Sequence, residues 1–252
     1  MAKTSRKQFT ETIDKLDYVL NFQRHEFKYF LPRNRIEAII PDLKLNLALD
    51  PYCKDGYYSI YSIYYDTEDW QAYYEKLDGI ERRKKFRIRT YAPNPDPNTP
   101  VMLEIKEKTK DIILKRRTPI ALEDIPKLEN GTLTRKNDDV FDEWRYNLLR
   151  NGLKAKVLIA YERLAFVPHN HGDIRITIDR NVRQARVNTG TRFNAALRST
   201  QFAKDHTVLE IKFDKYPPKF AIDLIRKYNL RNEAISKYTE SVITGYKMLL
   251  KH

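Results

Sequence analysis

Lys85-Phe86-Arg87-Ile88-Arg89 sets cations between apolar side chains, and the theme recurs in Glu104-Ile105-Lys106-Glu107-Lys108, Lys115-Arg116-Arg117, Arg175-Ile176-Thr177-Ile178-Asp179 and Glu210-Ile211-Lys212. A period of two belongs to a strand with one apolar and one polar face. By parity, Arg24, Glu26 and Lys28 share a face, as do Lys85, Arg87 and Arg89. The other sets are Glu104, Lys106 and Lys108; Lys115 and Arg117; Tyr161 and Arg163; Arg175, Thr177 and Asp179; Glu210 and Lys212. A single strand of this kind is the ordinary wet side of an antiparallel sheet. Several strands that all favour cations are unusual, because an ordinary wet face mixes signs. Pooled into one surface, these groups suit a polyanion, and phosphate chains match guanidinium forks and ammonium groups best. Glu26, Glu104, Asp179 and Glu210 lie in register with the cations. One or two of them could hold Mg²⁺ or Mn²⁺, which bind oxygen and bridge to phosphates. The alternative is that each pairs with its basic neighbour.

The elements that would position these residues follow from the same periodicities. Residues 1–20 read as a polar arm or short helix. Strands are expected over 24–30, 57–65, 80–91, 101–108, 112–120, 156–168, 174–179 and 208–215. Helices are expected over 35–49 (with Pro41 inside), 138–150, 220–228 and 237–250, and a turn or two over 69–76. Residues 92–100 are a proline-rich loop, and 182–203 read as irregular with a short helix near 193–198. This gives about eight strands, mostly antiparallel neighbours, which is about the number that closes into a barrel. Their apolar faces need cover, which amphipathic helices can supply from outside, turning the charged faces inward. The fold class expected is α+β.

Composition narrows the functional classes. The chain has 252 residues, 47 Lys and Arg against 34 Asp and Glu, and a net charge of +13, so its partner is an anion. Cys53 is the only cysteine, which forbids an internal disulfide and suits a reducing cytoplasm. No signal peptide or apolar run long enough to span a membrane is expected. No GxxxxGK[ST] or GxGxxG motif appears, and with 7 glycines phosphate is better bound by side chains than by backbone cradles. His169 and His171 have a spacing a metal could use, but no third ligand accompanies them. Tyr52, Tyr57, Tyr58, Tyr61, Tyr64 and Tyr65 near basic strands would suit stacking on single-stranded nucleic acid. They read equally well as strand core, no nucleic-acid module is recognised, and nucleic acid is disfavoured as partner.

Arg24-His25-Glu26-Phe27-Lys28-Tyr29 resembles the opening strand of the triphosphate tunnel metalloenzymes (the CYTH-like superfamily). Ser62-Ile63-Tyr64-Tyr65-Asp66, Arg87-Ile88-Arg89, Leu103-Glu104-Ile105-Lys106, Lys115-Arg116-Arg117, Tyr161-Glu162-Arg163, Arg175-Ile176-Thr177-Ile178-Asp179, Leu209-Glu210-Ile211-Lys212 and Ser236-Lys237-Tyr238 follow in family order. The set is similar to the polyphosphate polymerase domain of the vacuolar transporter chaperone (VTC) branch and its bacterial relatives. The resemblance implies a closed eight-stranded antiparallel β tunnel barrel with charged interior and helices packed outside, residues 1–252 forming one domain. It implies that Arg87, Arg89, Lys106 and Lys115 are catalytic. Lys28, Arg163, Arg175 and Lys237 would join them in holding phosphate. It implies Glu210 as the principal metal ligand for Mn²⁺ or Mg²⁺, with Glu26 and Glu104 for metal or for ordering the cations.

The reaction so implied moves the γ-phosphate of ATP onto inorganic polyphosphate or pyrophosphate. A triphosphatase and a non-catalytic polyphosphate-binding protein are the alternatives. Two departures stand out. Ala234 occupies a position where fungal relatives often carry lysine, and no inositol-phosphate sensor or membrane helices fit in this chain. Regulation and any recruitment to a membrane would then come from a partner protein.

Overall fold

The computed structural model describes residues 21–246, apart from 54–55, 93, 111, 171, 188–192, 194, 196 and 200–205. The expected arm over 1–20 and His171 lie outside the described residues. The alternating segments form one antiparallel ten-stranded sheet: β1 (Asn21–Pro32), β2 (Leu47–Leu49), β3 (Tyr58–Asp66), β4 (Arg82–Thr90), β5 (Pro100–Thr109), β6 (Ile112–Ala121), β7 (Lys154–Pro168), β8 (Arg175–Arg186), β9 (Arg198–Ser199) and β10 (His206–Phe213). Around these strands lie α1 (Arg33–Asn46), α2 (Gln71–Leu77), α3 (Ile125–Glu129), α4 (Asp139–Arg150), α5 (Lys219–Lys227) and α6 (Lys237–Tyr246). The α+β class therefore stands.

The strand count differs from expectation. The pairing series runs β7-β3-β4-β5-β6-β1-β10-β8, and β8 pairs again with β7. β2 pairs with β7 and β9 with β8, so the sheet as a whole ends in two short strands and is not the simple eight-stranded barrel expected. The helix expected over 35–49 ends at Asn46, because Leu47–Leu49 leaves it to pair with Phe166–Pro168. β8 also runs on to Arg186, through a stretch expected to be irregular. The β7 register shifts between Ala160 and Glu162, and Asn181 takes a positive φ of 52°, so a bulge carries the pairing past the point where strict alternation stops.

Two apolar layers cover the outer faces. Ile36, Ile39 and Leu43 of α1 and Ala221 and Leu224 of α5 pack with Tyr29, Ile176, Ile178, Leu209 and Ile211. On the other side, Ile125 and Leu128 of α3, unforeseen in the sequence, join Phe141 and Trp144 of α4 over Phe86, Ile88, Leu103 and Ile105. Trp144 meets Phe86 and Tyr65 edge-on at 5.3 and 5.1 Å. Asp138 caps α4, accepting from the Phe141 amide at 2.9 Å.

α6 is not packed outside. Its Tyr238, Val242 and Tyr246 cluster with Ile60 and Tyr64 of β3, Val157, Ile159 and Tyr161 of β7, and Val182 of β8. Along β7 these positions share parity with Arg163, so they lie on the face that elsewhere carries charge. The inner faces of β3 and β7 are thus apolar over part of their length, and a helix must cover them there. Asp66 fixes that helix and α2 together. Its carboxylate accepts from the Ala72 and Tyr73 amides at 2.9 and 3.2 Å and from the Tyr238 hydroxyl at 2.5 Å.

Candidate phosphate-binding cavity

The remaining inner faces surround a cavity of about 1610 Å³. All the cations singled out in the sequence line it: Lys28, Arg87, Arg89, Lys106, Lys115, Arg163, Arg175 and Lys237. So do Glu26 and Glu210, together with Lys85 and Lys212. The parity sets therefore do pool, although they come from seven separate strands and one helix.

Three groups of carboxylates organise the cations. Fully buried Glu104 receives Arg87 Nε at 2.6 Å, Lys115 Nζ at 2.5 Å and, more distantly, Arg89 Nε at 3.7 Å. Asp179, equally buried, takes Arg163 through two parallel bonds of 2.6 and 2.7 Å and Lys237 at 2.6 Å. Glu26 and Glu210 form the third group. Lys106 stands 3.0 Å from Glu26, while Lys212 and Lys237 stand 2.5 and 3.0 Å from Glu210. Lys28 lies between the two carboxylates at 3.4 and 3.8 Å. Arg175 is separate from these groups: it pairs with Asp50 at 2.5 Å.

Burial by itself would raise the carboxyl pKa values, but the facing cations outweigh it. Lys106 and Lys28 hold Glu26 below the ordinary range, and Lys212 and Lys237 do so for Glu210. Arg87 and Arg89 act likewise on Glu104, and Arg163 and Lys237 on Asp179. All four acids are ionised near neutrality, and cations still exceed them. Burial, only partly offset by Glu210, brings Lys212 down to about 8. Burial and the neighbouring Lys28 and Lys106 push Lys85 well below its ordinary value. Among the described residues Lys85 meets no carboxylate; its ammonium donates to Ser236 Oγ at 3.2 Å and stands 4.8 Å from the centre of the Tyr238 ring. Lys85 is half-buried, and a phosphate oxygen beside it would favour its charged form.

Sequence reasoning gave Lys85 and Lys212 no binding role of their own, although parity had placed each with its neighbours, and Asp179, offered there as one of four acids that could hold a metal, lies instead behind Arg163 and Lys237. Tyr64, expected as core or a stacking residue, and Tyr161, expected on the polar face with Arg163, accept through their hydroxyls from Arg87 at 2.8 Å and Arg89 at 3.3 Å, which aims those guanidinium groups. Lys76 and Arg83 also reach the cavity, and no pattern in the sequence marked Lys76.

The donor chemistry fits a divalent ion in one place. Glu26 and Glu210 offer hard carboxylate oxygens open to the cavity. Among the described residues no group of three or more acids, histidines or cysteines forms a protein-only metal site, so phosphate oxygens would have to complete the shell. Glu104 fits less well: it is wholly buried beneath three cations and does not line the cavity.

Residues 23–246 match the VTC domain family. This chain belongs to that family. The chain is 24% identical, over an alignment of 271 residues, to vacuolar transporter chaperone complex subunit 4 of Schizosaccharomyces pombe. The match takes in 88% of this chain and 37% of that protein, so the VTC domain spans well under half of the relative's length. The fold is shared with a crystal structure of a candidate adenylate cyclase from Bacillus halodurans, at a TM-score of 0.54 and 10% identity over 86% of this chain and 96% of that one. A mimivirus capping-enzyme triphosphatase superimposes at a TM-score of 0.40, with 8% identity over 88% and 96% of the two chains.

Proposed function

We propose that this VTC domain is an ATP-dependent polyphosphate polymerase. The observation that carries the reading is the excess of Lys and Arg over carboxylates lining one cavity, including Lys85, which meets no carboxylate among the described residues. Such a lining suits a ligand with many negative charges in a row, and the kinship to a vacuolar transporter chaperone subunit agrees with it. A terminal oxygen of inorganic polyphosphate or pyrophosphate attacks the γ-phosphorus of ATP. The bond to the β–γ bridging oxygen breaks, and ADP leaves with that oxygen, so ATP and a chain of n phosphates give ADP and a chain of n+1.

The attacking oxygen is already ionised, so the step needs positioning and charge neutralisation more than a strong base. Arg87, Arg89, Lys106 and Lys115 supply these at the transferring group. Lys28, Arg163, Arg175 and Lys237 hold the flanking phosphates, and Glu104 keeps three cations aimed. Glu210 and Glu26 would hold Mn²⁺ or Mg²⁺, which neutralises phosphate oxygens when bound. The inner faces act as a tunnel along which product advances. No helix among the described residues is long and apolar enough to cross a membrane.

The test is to incubate the purified protein with ATP and Mn²⁺, with and without a short polyphosphate primer, and to follow long polyphosphate and free phosphate. Long polyphosphate with ADP, lost in Arg89→Ala and Lys106→Ala, is expected. Free phosphate without polymer would instead make the protein a triphosphatase, and tight polyphosphate binding with no turnover would make it a binding subunit.

A further inference from the structure

The two ends of the cavity differ in chemistry. Along β4, Arg83 and Lys85 stand near the start, and Tyr91 follows the last residue, Thr90. Eight residues separate Arg83 from Tyr91, roughly 26 Å of extended chain. At the start of β4, Lys108 pairs with Arg83 across the sheet, and Lys76 of α2 also lines the cavity. At the other end three tyrosines gather. Tyr58 opens β3, and the ring centres of Tyr91 and Tyr52 lie 6.1 and 6.5 Å from its own. Tyr52 is 69% exposed and Tyr91 44% exposed, yet both line the cavity.

Exposed aromatic rings at a cavity mouth have faces to offer, and any nucleobase has a π-face to stack on them. The cations begin directly inside: Arg163 lies opposite Tyr58 in the β3–β7 register, and Arg89 lies two residues before Tyr91 on β4.

We propose that Tyr52, Tyr58 and Tyr91 form a nucleobase-stacking collar. It would seat the base of a nucleoside triphosphate at this mouth, point its phosphates inward, and leave the mouth at Lys76, Arg83 and Lys108 to the phosphate chain. The proposal rests on the polymerase reading for its ligand, and it adds a polarity to the cavity. A platform made of ring faces selects for the presence of a base more than for its identity.

The test compares affinities for ATP and for inorganic tripolyphosphate, which share the three-phosphate chain and differ in the nucleoside. The double variant Tyr52→Ala/Tyr91→Ala should lower the ratio of ATP affinity to tripolyphosphate affinity roughly 5-fold or more, the usual loss when a base loses its aromatic partner. Tyr52→Phe/Tyr91→Phe should keep the wild-type ratio. Because both rings are exposed, neither variant should change the unfolding midpoint. An unchanged ratio in the alanine variant, or an equal loss in the phenylalanine variant, would overturn the collar while leaving the phosphate cavity intact. Binding of neither ligand to the wild-type protein would overturn the polymerase reading and the collar with it.

Discussion

Glu104 illustrates how a buried acid serves a cationic site. It lines no part of the cavity, yet Arg87, Arg89 and Lys115 all converge on it. Glu104→Gln keeps the shape and removes the charge, leaving three buried cations in mutual repulsion. Breaking a buried pair from one side costs about 3–5 kcal/mol. Denaturant unfolding should show a loss of that order, and added tripolyphosphate should restore more stability to the variant than to the wild-type protein. Lys212 gives a second prediction. Its amine titrates at about 8, so it loses its proton as pH rises through that value and the cavity loses one cation. ATP affinity should fall between pH 7 and pH 9, and Lys212→Arg, which stays charged, should flatten that fall. A calorimetric titration at several pH values checks both.

Each element holds the site by a different device. α4 clamps the outer face of β4 and β5 through Trp144, which has no solvent exposure. Trp144→Ala should therefore cost about 3–5 kcal/mol in denaturant unfolding. Asp138→Ala removes the α4 cap and should cost about 1 kcal/mol. α6 works from within: Asp66 takes the Tyr238 hydroxyl, and the preceding residue, Lys237, reaches both Asp179 and Glu210. The span of α4 and the β5–β6 hairpin were legible in the sequence because helical spacing and period-two runs are local signals, whereas the end of α1 was set by pairing of Leu47–Leu49 with β7. The inner placement of α6 was not. Its own pattern shows which face is apolar, but not whether the matching apolar patch lies inside or outside the strands.

For the whole molecule, the surplus of positive charge and the ionised buried acids govern behaviour together. Glu26, Glu104, Asp179 and Glu210 all have pKa values below their ordinary range in the folded protein. Their contribution to stability is complete above the ordinary carboxylate values and is lost as pH falls through the folded ones. The unfolding midpoint should thus decline as pH drops below about 4, where an unfolded chain takes up protons that the native state resists.

By itself the sequence determined the α+β class, the positions of most strands, and which side chains share a face, because the strand period of two is set by backbone geometry. It also marked Lys28, Arg87, Arg89, Lys106, Lys115, Arg163, Arg175 and Glu210, since charges alternating with apolar residues stand out locally, while Lys237, on a helix, was marked by the family resemblance. Only the tertiary structure decided that Glu104 and Asp179 lie behind the cations, that Lys85 meets no carboxylate among the described residues, that α6 covers part of the inner face, and that Tyr91 joins Tyr52 and Tyr58 beside the cavity. Those outcomes depend on strand pairing between residues far apart in the chain, and no local period encodes which strands become neighbours.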